Sequence, residues 1–433
     1  MKRIRRTMHC GIVAALALCA GCTLLSEDAS GVNPLCGGAP SGYSDYYPGT
    51  EKFADTVFNG FVLTSEDSLS TFGVDVDAGS YTFGRKKINE GSRPVPQSVR
   101  VEEYINYFRQ DYDPPSSGPF GVQVDAAPSL FRGDSLHVLR VGIQTRPPAP
   151  CGRKPWNITF LVDISGSMST RLEFVKRCLY ILVDSMHSGD MLSVCTYAGA
   201  VGTVLYPTSI DSKSKAGIKG IIADLAAGGS TAMASGLQNA YTVNMSAFVD
   251  GCVNRVVVCS DGDANVGATS HEAILALIGE YVDKGVTLST LGFGQGNYND
   301  YLMEQLADRG NGNYYYIDSE QEARRLFGEE LIAMMEVIAK DVKVQVAFSS
   351  AAVKRYRLIG YENRDIADDA FAQDTTDGGE IGAGHRVTAL YEIELLPDAG
   401  VALGTVHLRY KLPDGSADMP FDVPMSRDAL CSA

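Results

Sequence analysis

Hydrophobic positions in this chain follow two rhythms. Between Pro155 and about Ile338, short unbroken apolar runs alternate with longer stretches whose apolar residues return at helical spacing. The runs Ile158–Val162, Met191–Tyr197, Val256–Ser260, Val286–Phe293 and Tyr314–Ile317 predict strands covered on both faces, since a half-wet strand would alternate apolar with polar. The stretches Leu172–Met186, Ser214–Leu225, Ala232–Phe248, His271–Asp283, Asp300–Arg309 and Glu320–Val337 predict helices. In the first of these, Leu172, Val175, Leu179, Leu182 and Val183 form one apolar stripe. Gly202–Tyr206 predicts a short edge strand. Such alternation specifies an α/β fold: a doubly wound, mostly parallel sheet over residues 155–338 with helices on both faces.

The second rhythm flanks the first. Phe120–Arg146 alternates apolar and polar residues, and so do Val342–Phe348, Tyr356–Tyr361, His385–Leu395 and Leu403–Tyr410. Residues 339–433 therefore predict an antiparallel, sandwich-like β unit. Residues 113–154 are expected to pack with it, because the chain enters and leaves the α/β segment there. This makes the α/β domain an insertion in a β domain. Residues 57–112 predict a small mixed unit, with a helix over Ser98–Phe108 that places Glu102 and Glu103 on its wet face. Thr23–Thr56 is rich in Gly, Ser, Pro and Asp and lacks periodicity, so residues 22–56 are expected to be a flexible tether.

Residues 1–21 have the pattern of an export signal: basic Met1–Arg6, then an apolar stretch over Gly11–Gly21 too short to span a bilayer. Leu18-Cys19-Ala20-Gly21-Cys22 resembles the bacterial lipoprotein box, with Cys19 where Leu is usual. That resemblance implies lipidation of Cys22, a lipid anchor and a place in the cell envelope; ordinary cleavage nearby would leave a secreted or periplasmic protein. Thr23 rather than Asp after Cys22 favours the outer membrane if the cell has one. The net charge of −15 includes four cations of the signal, so the mature chain stands near about −19 and repels phosphate backbones. Nucleic acid is not expected as a partner; divalent cations are. Cys178, Cys195 and Cys259 fall in predicted core elements, whereas Cys36, Cys151, Cys252 and Cys431 lie in loops or the tail, where an oxidising compartment permits bridges.

Three short stretches carry the candidate chemistry. Asp163-Ile164-Ser165-Gly166-Ser167 follows one predicted strand, Asp261 follows another, and Thr231 opens a predicted helix. Loops at the carboxyl ends of parallel strands converge on one crevice. Two carboxylates and three hydroxyls would meet there, all hard oxygen donors, which suits Mg²⁺, Mn²⁺ or Ca²⁺ and not Zn²⁺. Few of the donors are anionic, so a bound ion would keep a strong field and one position for an outside oxygen.

These residues resemble the von Willebrand factor A domain and its metal-ion-dependent adhesion site, Asp-x-Ser-x-Ser followed by Thr and Asp. The resemblance implies that Asp163, Ser165, Ser167, Thr231 and Asp261 hold Mg²⁺, and that an Asp or Glu of a partner protein completes its shell. Leu69–Asp77 (LSTFGVDVD), Val101–Phe108 (VEEYINYF), Leu291–Asp300 (LGFGQGNYND), Tyr356–Arg364 (YRLIGYENR) and Gly379–His385 (GEIGAGH) further resemble the bacterial YfbK-like A-domain proteins.

Other signals carry less. Gly292-Phe293-Gly294-Gln295-Gly296 lacks the spacing of a phosphate loop and reads as a turn. Arg132-Gly133-Asp134 reads as a loop between strands, Asp263 as a loop carboxylate, and His385 as a packed or capping residue. A metal-dependent phosphoester hydrolase is an alternative reading, as is an envelope scaffold whose metal only stabilises loops. Against the hydrolase, the position two after Asp163 is Ser, and these loops contain no Lys or His to serve catalysis. The chain is therefore expected to be a binding module and not an enzyme.

Overall fold

The computed structural model describes residues 53, 57–130, 136–148, 153–262, 270–294, 298–373, 376, 378–397, 400–413 and 418–430. The signal and Cys22, almost all of the tether, Arg132-Gly133-Asp134, Asp263, Gln295 and Gly296, and Cys36, Cys151 and Cys431 lie outside the described residues.

The chain first builds half of a frame. Strands β1 (Val62–Leu63) and β2 (Leu69–Gly73) precede helices α1 (Gly79–Asn89) and α2 (Val101–Asn106), then strands β3 (Phe120–Pro128) and β4 (Leu136–Thr145). The α/β domain follows, with β5 (Trp156–Asp163), α3 (Leu172–Ser185), β6 (Met191–Tyr197), β7 (Val201–Ser209), α4 (Ser214–Ala223) and α5 (Met233–Ser246). It continues through β8 (Val253–Ser260), α6 (His271–Val282), β9 (Val286–Gly292), α7 (Asp300–Arg309), β10 (Tyr314–Tyr316), α8 (Glu320–Arg325) and α9 (Leu331–Met335). The chain then returns to the frame as β11 (Val337–Phe348), β12 (Val353–Ile359), β13 (Ile381–Gly382), β14 (Arg386–Leu395), β15 (Ala402–Lys411) and β16 (Asp418–Ser426).

The α/β sheet runs β10-β9-β8-β5-β6-β7, parallel except for antiparallel β7 at the edge. Every residue of β5 is buried, because side chains on both of its faces meet helices. Ile158, Phe160 and Val162 pack with the α3 stripe, while Leu161 packs with Met233, Leu237 and Ala240 of α5 on the other side. The frame is two antiparallel sheets, one ordered β1-β12-β14-β4-β3 and the other built on β11, β15 and β16 with β2 and β13 beside β11. Their inner faces share one core, with the Phe348 ring stacked on Tyr356 at 4.4 Å. The N-terminal segment is built into this frame, since β1 pairs with β12 and β2 with β11.

Three details differ from the sequence pattern. The helix expected through Val337 is broken by a wide π turn at Leu326–Glu330 and ends at Met335, because Val337 already pairs with Gly382 in the frame. The strand β16, which pairs with β15, went unforeseen because its alternation is interrupted by Pro420 and Pro424. Glu102 and Glu103 are not on a wet face: each is 1% exposed. Their short helix has both flanks covered, so Glu102 Oε2 accepts from the Tyr361 amide at 3.0 Å and Glu103 Oε2 from the Ser80 amide at 2.7 Å.

Of the cysteines, Cys178, Cys195 and Cys259 are buried thiols and Cys252 is a half-buried free thiol, not a bridge partner. His385 is packed, its Nδ1 accepting from the Gly382 amide at 3.1 Å. Among the described residues, no helix is long and apolar enough to cross a membrane.

Candidate metal centre

The chain leaves β5 toward β6 on one side, while β8 lies on the other, so the crevice of the sheet opens at the carboxyl end of β5. Parallel pairing sets Val162 beside Cys259, which brings Asp163 next to Ser260 and the Asp261 loop. The Ser165 amide donates to Asp163 Oδ1 at 2.8 Å, and the Ser260 hydroxyl donates to Asp163 Oδ2 at 3.0 Å. Both carboxylate oxygens are thus oriented before any cation arrives.

Ser165 and Ser167 turn to the same side, their hydroxyl oxygens 3.0 Å apart. The loop carrying them is laced to the loop before Thr231. The Gly166 amide donates to the Gly229 carbonyl at 3.1 Å, and the Gly228 amide to the Ile164 carbonyl at 2.7 Å. Gly229 has φ +94, and a Cβ there would lie 2.9 Å from the Gly199 amide nitrogen, so the approach needs glycine. Thr231 sits half-buried two residues on, at the entrance of α5. Asp163, Ser165 and Asp261 are buried, whereas Ser167 is exposed at the rim. The structure thus brings Asp163, Ser165, Ser167 and Asp261 together, with Thr231 two residues beyond the Gly229 tie to the same loop.

Burial, with the Asp261 charge added, pushes the Asp163 carboxyl above its usual range despite the hydrogen bonds it accepts. Cation binding would relieve both effects. Among the described residues, no group of three His, Cys, Asp or Glu side chains is arranged to hold a metal, so a cation here depends on hydroxyl ligands. Two carboxylates and three hydroxyls on fixed loops fit a hard divalent ion that keeps water. When bound, it would supply a positive field at the mouth of the crevice.

Sequence reasoning missed the groups behind the ligands. Ser260 ties Asp163 to the next loop, because its hydroxyl also accepts from the Gly262 amide at 3.0 Å. A lone hydroxyl closing the apolar run Val256–Ser260 was the available signal. Tyr197, fully buried, stands beside Asp163; burial and then the Asp163 charge raise its phenol well above the ordinary value.

Comparisons with known proteins agree with this architecture. The model described as "von Willebrand factor type A domain" matches residues 157–329, one described as "von Willebrand factor" matches 47–138, and "Uncharacterized protein YfbK, C-terminal" matches 333–403. Fold and site thus define a protein with a von Willebrand factor type A domain, related to adhesion and protein-interaction domains that carry metal-ion-dependent adhesion sites. The chain is 36% identical over 407 residues to the uncharacterized protein YfbK of Escherichia coli (strain K12), covering 87% of this chain and 70% of that protein. It belongs to the YfbK family. Inter-alpha-trypsin inhibitor heavy chain H3 of Homo sapiens is 28% identical over 178 residues, 39% of this chain and 20% of that protein. Among solved structures, a von Willebrand factor type A protein from Catenulispora acidiphila is similar with a TM-score of 0.45 and 17% identity, over 71% of this chain and 73% of that one.

Proposed function

We propose that this protein is an exported, lipid-anchored binding module of the cell envelope. Its A domain holds Mg²⁺ through Asp163, Ser165, Ser167, Thr231 and Asp261 and engages an Asp or Glu carboxylate of a partner protein. The observation that carries this reading is the hydroxyl-rich mouth: Ser165 and Ser167 side by side above a buried, pre-oriented Asp163. With Asp261 acting through water, Asp163 is the one direct anionic ligand among neutral hydroxyls and the ion keeps net positive charge, so an anionic oxygen from outside is a favourable last ligand. The β frame carries the domain, and lipid on Cys22 would anchor it, Mn²⁺ or Ca²⁺ being acceptable substitutes in the site.

The test compares partner capture from envelope extracts in Mg²⁺, in EDTA and with Asp163→Ala. Capture that requires both Mg²⁺ and Asp163 supports the reading, and equal capture in all three ends it. Labelled palmitate incorporation into the wild type but not Cys22→Ser tests the anchor.

A further inference from the structure

The connection between β9 and α7 is held at its two ends from outside the α/β domain. At its start, Lys86 of α1 donates from Nζ to the Gly294 carbonyl at 2.9 Å and to the Tyr316 hydroxyl oxygen at 2.6 Å. The Tyr316 hydroxyl donates to the same Gly294 carbonyl. At its end, Arg100, next to α2, donates from Nη1 to Asp300 Oδ2 at 2.6 Å, and Asp300 opens α7. Between these grips, the Phe83 ring packs on Tyr298 at 6.3 Å and on Tyr316 at 5.4 Å.

The two held ends back the Asp261 and Gly262 backbone. A Cβ on Gly294 would fall 2.6 Å from the Asp261 carbonyl oxygen, and one on Gly262 would fall 2.9 Å from the Asn299 amide nitrogen. The Phe293 amide donates to the Ser260 carbonyl at 2.9 Å. Glycine at 294 and 262 thus lets the Asp261 backbone lie directly against the Gly294 and Asn299 backbones. Close-packed backbone passes on a displacement and does not absorb it.

We propose that Lys86 is a positioning residue for the candidate metal site, and that helix α1 and the site are coupled. Lys86 acts through the Gly294 carbonyl, fixing where the Asp261 backbone stands. Coupling of this kind is reciprocal: cation binding steadies α1, and a partner or force that shifts α1 weakens cation binding by the same factor. The inference rests on the metal-binding reading above and adds a means of regulating it from the frame.

The experiment uses the full chain. Mg²⁺ is titrated calorimetrically into the wild type, Lys86→Met, Lys86→Arg and Asp163→Ala. Met fills the volume but cannot donate, so Lys86→Met should weaken Mg²⁺ binding about tenfold, the scale of groups that orient metal ligands. Lys86→Arg keeps a donor and should restore most of the affinity. In the wild type, Mg²⁺ should slow amide hydrogen exchange across Gly79–Asn89, and Asp163→Ala should abolish that slowing. Equal Mg²⁺ affinity for Lys86→Met and wild type overturns the coupling. So does α1 exchange that ignores Mg²⁺ in a wild type that binds it, a measurement that stands even if Lys86→Met does not fold. A wild type that binds no Mg²⁺ removes the metal reading itself, and the coupling with it.

Discussion

Ser260 donates its hydroxyl to Asp163 Oδ2 at 3.0 Å, across the seam between the two central strands of the sheet. Asp163 has no freedom to compensate, because it is fully buried and its other oxygen already accepts from the Ser165 amide. The same Ser260 oxygen accepts from the Gly262 amide. One hydroxyl thus couples the carboxylate on the first loop to the backbone that carries Asp261. Ser260→Ala should leave the sheet intact and weaken Mg²⁺ binding about tenfold, by loosening a ligand and not by removing one. Calorimetric titration of Mg²⁺ reads this directly; unchanged affinity would show that the Ser165 amide alone suffices.

Gly262 offers a test of the loop geometry itself. Its φ is +72, and a Cβ would stand 2.9 Å from the Asn299 amide nitrogen, which is backbone and cannot rotate away. Gly91 has a similar φ of +78 with nothing within 4 Å. Gly91→Ala should therefore cost about 1 kcal/mol of left-handed strain alone. Gly262→Ala should cost more, on the order of 1–3 kcal/mol beyond that, through the clash. Thermal unfolding of the two variants side by side separates the contributions, and equal melting temperatures would refute the steric argument.

The fold was legible where burial is symmetrical and illegible where the neighbour is far along the chain. Ile158–Val162 and Val256–Ser260 are unbroken apolar runs because both faces of β5 and β8 meet helices, so sequence alone placed Asp163 and Asp261 at strand ends. Ser165 and Ser167 were legible from spacing. Glu102 and Glu103 misled, because Tyr361 and the turn at Gly360, which cover Glu102, arrive more than two hundred residues later, while Glu103 is met by Ser80, 23 residues earlier on another helix. Lys86 carried no signal either: its partners Gly294 and Tyr316 belong to the inserted domain. Helical periodicity reports which face is apolar, not which polar face will be covered by a distant segment.

Arg364 pins the frame to the inserted domain. Its guanidinium donates to Asp308 of α7 at 2.9 Å and lies 3.4 Å from Asp75 and 3.7 Å from Asp77. Asp77 is itself committed, since its Oδ1 accepts from the Tyr314 amide at 3.0 Å. Burial first, then Asp75, pushes the Asp77 carboxyl well above its usual range. Arg364→Met would leave Asp75 and Asp77 facing one another in a dry joint. The expected loss is about 3–5 kcal/mol, as for other buried pairs broken from one side. Urea unfolding measures it, and a loss below about 1 kcal/mol would place this network with ordinary surface pairs.

The same joint makes stability depend on pH above neutrality. Burial, with Asp75 adding to it, raises the Glu102 carboxyl from 4.5 to about 7. Burial also raises Glu103 to about 8, against the opposing pull of Arg100. Both folded values exceed the unfolded one, so the fold retains protons that the unfolded chain releases. Their stabilising contribution is complete below about 4.5 and is lost as pH climbs to the folded values, with a slope of about 1.4 kcal/mol per pH unit for each retained proton. His385 acts in the opposite sense, because burial lowers it from 6.5 to about 4 and the fold must keep it neutral. Its contribution is present above about 6.5 and lost as pH falls toward 4. Below 6.5 the two trends oppose each other; between 6.5 and 8 the carboxyls act without His385. The melting temperature should therefore fall across that interval. Glu102→Gln keeps an acceptor for the Tyr361 amide but cannot ionise, so it should flatten the fall and raise the melting temperature at its alkaline end. A melting temperature that rises from pH 6.5 to 8 in the wild type would mean that the joint holds these carboxyls ionised throughout.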